Sequence, residues 1–304
     1  MQVGITTSSF AQYDNKPLEL LKNNNLKIVL NPHGRELSED EAIELLKDCV
    51  GVAAGTEPLN ARVLEALPKL KVISRCGVGM DSVDIKKAEQ LGIVVKSTPD
   101  APTRAVVELT LGLALDLFRQ VSFMDRELRA GVWKKRMGSL LEGKKLGIIG
   151  YGRIGRAVGA AFKPLGVEVA FYDPFVKDDS SYKELNALLA WSDIITLHCS
   201  KGKSGVPVLG VNEFKHIKTG AYIINCARGG LIDEVELCKQ LKDGKISGAA
   251  LDVYSSEPYK GPLTELNNVI LLPHVGSYAK ETRINMENQT INNLISGLKE
   301  QGLL

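Results

Sequence analysis

The chain has 304 residues, 44% of them hydrophobic, and 38 basic residues against 36 acidic ones leave a formal charge of +2. That is apolar content for one large or two medium cores, and the balance, without long runs of one sign, offers no footing for nucleic acid or a membrane surface. No apolar run reaches the roughly 20 residues of a membrane span, no basic leader precedes an apolar stretch, and the unpaired spacing of Cys49, Cys76, Cys199, Cys226 and Cys238 reads as reduced structural thiols of a cytoplasmic protein rather than a disulfide framework or a metal site.

Taken in order, short Val/Ile-rich runs alternate with helix-period segments, the pattern of a parallel sheet with crossover helices. Strands are expected near Gln2–Thr6, Lys27–Leu30, Gly51–Ala54, Lys71–Ser74 and Ile93–Lys96, with helical stretches such as Leu18–Asn23, Glu39–Lys47 and Ala61–Ala66 between them. The stretch STPDAPTR, Ser97–Arg104, is a loop signal that ends this first α/β unit. A long apolar pattern follows, read as one helix over Ala105–Leu128, apolar on more than one face and suited either to a core or to a second subunit. A second set of strands is expected at Leu146–Ile149, Glu168–Tyr172, Ile194–His198, Tyr222–Asn225, Ala249–Val253 and Val269–Leu272, a doubly wound sheet. A closing helix from Lys280 to about Lys299 needs a surface, and packing it back on the first unit makes that unit discontinuous. The expected architecture is therefore α/β, with two doubly wound domains. A dinucleotide-binding domain over residues 99–277 is inserted in a discontinuous substrate domain of residues 1–98 plus 278–304, and a cleft is expected between them.

The sequence Gly150-Tyr151-Gly152-Arg153-Ile154-Gly155 follows a strand and opens a helix over Arg153–Phe162. In that context the first glycine allows a tight turn, the second lets the backbone approach a pyrophosphate, and the third lets helix and strand pack closely. The phosphates then meet the N–H groups of a helix N-terminus. Asp173 ends the next strand, 23 residues after Gly150, where an acid accepts the ribose hydroxyls and disfavours a 2′-phosphate, so NAD is expected over NADP. Three other features sit at expected C-terminal strand ends. They are INCARGGLIDE with Arg228, whose fork can bind a carboxylate or polarise a carbonyl; LDVYSSEP with Asp252 and Glu257; and LLPHVGS with His274, an imidazole that a carboxylate can orient for proton exchange. His33, His198 and His216 are expected to be structural, although the strand end of His198 lies near the cofactor turn.

GYGRIG, NCARGG, the DV…EP loop and PHVGS, in this order, with RCGVGMDSVD over Arg75–Asp84, resemble the NAD-dependent D-2-hydroxyacid dehydrogenases across nearly the whole chain. The resemblance implies a Rossmann domain within a flavodoxin-like substrate domain. It implies His274 as acid/base, Glu257 as its partner and Arg228 as a ligand of the substrate's carboxylate and carbonyl oxygen. It further implies cofactor contacts at Gly150, Gly152, Arg153, Ile154, Gly155, Asp173, Cys226, Asp252 (at the nicotinamide carboxamide) and Gly276, and substrate contacts at Arg75 and the backbone of Val78 and Gly79. Hydride would pass between C2 of a D-2-hydroxy acid and NAD in a homodimer. The nearest branch is that acting on 3-phosphoglycerate, in a short form expected to lack a C-terminal regulatory domain. The alternatives are glyoxylate or hydroxypyruvate reduction, or an NAD-responsive binding protein of the same fold. Two departures stand out. The loop Ala53–Leu59 carries Glu57 and none of the arginine that phosphoglycerate-specific members place there, leaving Arg75, Lys134, Lys135 and Arg136 as cationic candidates. The segment HCSKGKSGVPV from His198 also lacks the family's usual proline-containing loop.

Overall fold

The computed structural model describes residues 1–202 and 205–304. The chain divides into two compact units, Met1–Pro102 with Ser277–Leu304 and Thr103–Gly276, so the divisions fall at 102/103 and 276/277 rather than at the expected 98/99 and 277/278.

The first unit holds β1 (Gln2–Ile5), α1 (Lys16–Asn23), β2 (Lys27–Leu30), α2 (Glu39–Leu46), β3 (Gly51–Ala54), α3 (Ala61–Glu65), β4 (Val72–Arg75), α4 (Ile85–Gln90) and β5 (Val94–Lys96). Its strands form one parallel sheet in the order β2-β1-β3-β4-β5, the doubly wound flavodoxin order. Local chemistry sets the helix starts. Ser38 and Glu41 form a reciprocal capping box at α2, and the Asn60 and Asp84 side chains accept first-turn N–H groups at α3 and α4. Alternation on β3 feeds two apolar layers, Val52 and Ala54 into one and Ala53 into the other.

The second unit holds α5 (Thr103–Arg119), α6 (Val121–Arg129), β6 (Lys145–Ile149), α7 (Arg153–Phe162), β7 (Glu168–Tyr172), α8 (Leu185–Trp191), β8 (Ile194–Leu197), α9 (Val211–His216), β9 (Ala221–Asn225), α10 (Glu234–Lys242), β10 (Ile246–Leu251) and β11 (Val269–Leu271). Its parallel sheet runs β11-β10-β9-β8-β6-β7. Tyr182 adds a single parallel bridge to Phe171 on the outer side of β7. Counting that bridge as a vestigial third strand gives the Rossmann order 3-2-1-4-5-6, with β11 as a seventh strand beside β10. Ile223 and Ile224 face opposite layers, one under α8, α9 and α10 and the other under α5 and α7. After this unit α11 (Lys280–Glu300) returns to the first, where Ile291, Leu294, Ile295 and Leu298 pack on Val3, Ile5, Ala53 and Val72.

The single helix expected over Ala105–Leu128 is two helices, α5 and α6, broken at Gln120 in the left-handed conformation (φ 52°, ψ 38°). The break is an exchange of partners. In a continuous helix the Phe118 carbonyl would accept the Ser122 N–H. Here it accepts Ser139 N–H at 2.9 Å, while Ser122 N–H turns to Asp116 Oδ1 at 2.8 Å. No helix of the described residues is long and apolar enough to cross a membrane.

Candidate active site

The dinucleotide turn is built as the spacing requires. Gly150 has φ 93° and lies so close to the His198–Cys199 backbone that a Cβ would fall 2.6 Å from Cys199 N. Gly152 faces open space, with nothing within 4 Å of where its Cβ would be. Gly155 packs its α-carbon onto the Gly150 carbonyl, 2.1 Å from an added Cβ. No side chain caps α7 at Gly152, so its first turn presents backbone N–H groups to a ligand. Asp173, at the end of β7 and 9% exposed, accepts Tyr151 N–H and Phe175 N–H at 2.8 Å each. It therefore anchors the turn it follows, and a carboxylate has lone pairs left for ribose hydroxyls. These residues fit an NAD molecule, which when bound supplies the hydride acceptor or donor.

Arg228 follows β9 in a turn pinned by Asn225, whose side chain accepts Ala227 N–H at 3.0 Å and donates to the Arg228 carbonyl at 2.9 Å. The guanidinium Nη1 donates to the Ala227 carbonyl at 2.7 Å. After β11 the backbone enters the left-handed region at His274, φ 56°, a conformation that costs a non-glycine residue energy and persists where its surroundings enforce it. Asp252, at the end of β10, does the enforcing. Its two oxygens accept Val275 N–H and Gly276 N–H, both at 2.7 Å. Asp252 thus acts on the histidine loop directly. It is 1% exposed, and burial raises its carboxyl pKa against the lowering effect of those two N–H groups.

His274 Nδ1 lies 2.8 Å from Glu257 Oε2, and Glu257 Oε1 accepts Tyr254 N–H at 3.0 Å. A carboxylate accepts, so Nδ1 carries the ring proton and Nε2 is the atom left for proton exchange. The hydrogen bond to Glu257 raises the His274 pKa above its ordinary value. Partial burial and the Arg228 charge oppose this. Burial, the largest single influence, pushes Glu257 up, but the hydrogen bond and charge of His274, the Tyr254 N–H and the Lys201 charge together hold the carboxyl below the usual range. The Tyr254 hydroxyl bridges the Leu251 and Leu272 carbonyls at 3.0 and 2.9 Å, tying the ends of β10 and β11 together beneath the pair.

Arg228, Glu257 and His274 thus fall within one electrostatic neighbourhood of the second unit, with the glycine turn, Asp173, Cys226, Asp252 and Gly276 in the same unit. Cys226 is 8% exposed, and burial pushes its thiol up to about 12, so it offers a neutral group. Asn225 and Tyr254 are site residues that motif reading passes over. The Asx-turn habit of an asparagine at a strand end is the signal for the first. His198 stays neutral, its pKa driven down to about 3 by burial, with Nε2 2.9 Å from Thr196 Oγ1. His33 lies 3.7 Å from Glu41 in the first unit, and His216 ends α9. The departure from family pattern after His198 includes Lys203 and Ser204, which lie outside the described residues.

Arg75, Val78 and Gly79 lie in the first unit, where β4 ends and the following loop begins. Arg75 donates to the Cys76 carbonyl. The backbone N–H groups of Val78 and Gly79 make no hydrogen bond among the described residues. Glu57 is turned inward, 1% exposed, so the exposed acid that would confront a phosphate directly is not what the fold presents. Arg136 is paired with Glu127 at 2.6 Å, and Lys134 and Lys135 are exposed.

Residues 111–276 match the family model described as D-isomer specific 2-hydroxyacid dehydrogenase, NAD binding domain. A D-3-phosphoglycerate dehydrogenase of Archaeoglobus fulgidus is 37% identical over 262 residues, 83% of this chain and 48% of that one. A glyoxylate reductase of Korarchaeum cryptofilum is 36% identical over 86% of this chain and 85% of its own length. The crystal structure of the TT0316 protein from Thermus thermophilus superposes with a TM-score of 0.91 at 32% identity, covering 99% of this chain and 97% of that one. The chain belongs to the D-isomer specific 2-hydroxyacid dehydrogenase family, and its second unit contains that family's NAD-binding domain. It spans about half the length of the phosphoglycerate dehydrogenases it matches, 48% for the archaeal one.

Proposed function

We propose that the protein is an NAD-dependent D-2-hydroxyacid dehydrogenase acting on 3-phosphoglycerate. The observation that carries the reading is the Glu257–His274 pair at 2.8 Å, held in a left-handed turn by Asp252. In oxidation, His274 Nε2 takes the substrate hydroxyl proton while Glu257 stabilises the imidazolium, and the proton returns along the same path in reduction. Arg228 binds the substrate carboxylate and polarises the oxygen at C2. The backbone N–H groups of Val78 and Gly79 bind the carboxylate, and Arg75 contributes positive charge. Steady-state NAD reduction with a panel of D-hydroxy acids, and NADH oxidation with the matching oxo acids, tests this. Activity on 3-phosphoglycerate and its oxo acid supports the reading, and no turnover of any member in either direction sinks it.

A second reading, glyoxylate or hydroxypyruvate reduction, is favoured by the absence of an arginine from the loop after β3 and by the likeness to a glyoxylate reductase over 85% of its length. The ratio of kcat/KM for hydroxypyruvate to that for its phosphorylated counterpart separates the two.

The functional form proposed is a homodimer. Leu115, Val121, Leu128, Trp133, Met137 and Leu140 expose apolar surface along α5, α6 and the following arm, Trp133 and Met137 at 83% and 93%, a face suited to a second copy of the chain. Five free cysteines support a reducing, cytoplasmic setting.

A further inference from the structure

In the sheet order β2-β1-β3-β4-β5 the connections leaving β1 and β3 diverge, and the gap between those strand ends is where open α/β sheets bind ligands. In this chain that position holds a buried acid. Glu57 Oε1 lies 2.6 Å from the hydroxyl of Thr6, which also accepts Gly55 N–H at 3.0 Å and stands 3.2 Å from the Ala53 carbonyl. Beside it the Thr7 hydroxyl is buried without a partner among the described residues. One hydroxyl has one proton to give. When Glu57 is protonated, it donates to Thr6, and Thr6 donates to Ala53. When Glu57 is ionised, Thr6 donates to Glu57, and the Ala53 carbonyl keeps the Thr6 N–H at 3.1 Å. The same atom positions therefore serve both charge states.

The charged group acting most on Glu57 is Arg75, at the end of β4; the other neighbours are the Thr6 hydroxyl and the Gly55 and Glu57 backbone. The Arg75 guanidinium lies along the next loop, so close that a Cβ on Gly77 would be 2.7 Å from Nη1. Arg283 and Glu287 of α11, which act on the adjacent Cys76 thiol, are paired with each other at 2.9 Å. Burial pushes the Glu57 carboxyl up to about 7, against the Thr6 hydrogen bond and the Arg75 charge.

We propose that Glu57 is a positioning residue for the anionic substrate: its charge decides how much of the positive field of Arg75 reaches the Gly77–Gly79 backbone, so that a substrate carboxylate binds there together with a proton on Glu57. The proposal rests on the assignment of Val78 and Gly79 as carboxylate ligands. Each anion bound draws up to one proton from solvent onto Glu57, and product release returns it. The linkage is a coupling free energy and acts in both directions. Anions bind best below the pKa of Glu57, and a bound anion raises that pKa.

The test is the pH dependence of KM and kcat for hydroxypyruvate and glyoxylate at saturating NADH, in the full chain and its Glu57→Gln and Glu57→Asp variants. In the unaltered protein KM rises at least about threefold from pH 6.5 to 8.5. Glu57→Gln cannot titrate, so its KM profile is flatter while its kcat profile follows the unaltered one; Glu57→Asp restores the slope. The same KM slope in Glu57→Gln as in the unaltered protein overturns the proposal. If no oxo acid is turned over, the dehydrogenase reading fails separately. The proposal is then decided, as it also is if Glu57→Gln does not fold, by ¹³C titration of the Glu57 carboxyl in the NAD-loaded protein with and without oxalate. An upward shift of the midpoint supports it, and an unchanged midpoint overturns it.

Discussion

At the residue scale, the proposed chemistry depends on one ring and the groups that hold it. Replacing His274 with Ala should lower turnover at least about a thousandfold, the scale of losing a positioned acid/base, while NADH affinity measured by fluorescence stays within a few-fold; retained turnover would falsify the role of the imidazole. Glu257→Gln makes a finer prediction. The hydrogen bond to Glu257 holds the His274 pKa above its ordinary value. Oxidation needs the neutral ring, so its rate climbs as pH rises through that pKa, and reduction needs the charged ring, so its rate falls. Without the carboxylate both limbs should move to lower pH. A pH profile for either direction that does not move would show that another group sets it. Arg228, Glu257 and His274 could be singled out from sequence because each sits in a small-residue turn or near a strand end, although the contact between Glu257 and His274 spans 17 residues. The inward turn of Glu57 was not, because it depends on Thr6, 51 residues away in sequence. The bracing role of Asp252 likewise requires knowing that it meets the backbone of Val275 and Gly276.

At the scale of elements, the strands other than β10 could be read within a residue, because a buried parallel strand must be a short run of Val, Ile and Ala; β10 starts at Ile246, three residues before the expected Ala249, in the polar-looking stretch Ile246-Ser247-Gly248. Two features escaped that logic. The break between α5 and α6 has no glycine or proline to announce it, since its cause is the Ser139 N–H arriving at the Phe118 carbonyl. The third position of the second sheet is reduced to the Tyr182–Phe171 bridge, too short to leave a period. The turn from β6 into α7, by contrast, is dictated residue by residue. A methyl group at Gly155 would sit 2.1 Å from the Gly150 carbonyl, a rigid backbone atom. Gly155→Ala should therefore separate helix from strand, costing about 1–3 kcal/mol or more as overpacking does, and weaken NAD binding. Calorimetry of the variant with and without NAD checks this, and an unchanged melting temperature together with unchanged NAD affinity counts against close packing at this contact.

For the whole molecule, the proposed dimer rests on what remains uncovered. Trp133 and Met137 are 83% and 93% exposed, large apolar side chains four residues apart. Light scattering should return twice the 33.0 kDa chain mass, and replacing both residues with Lys should shift the population toward the single-chain mass without loss of helicity. A single-chain mass for the unaltered protein rejects the dimer.

The return of α11 to the first unit also orders events during synthesis. A ribosome releases residues 103–276 as a sequence-continuous unit that can close its own sheet before the last helix exists. The first unit, although begun earlier, waits with Val3, Ile5 and Val72 uncovered until Ile291, Leu294 and Leu298 emerge. The part made first is therefore completed last, and a nascent chain stalled near residue 276 would pair a folded nucleotide-binding unit with an unfinished core exposed to chaperones.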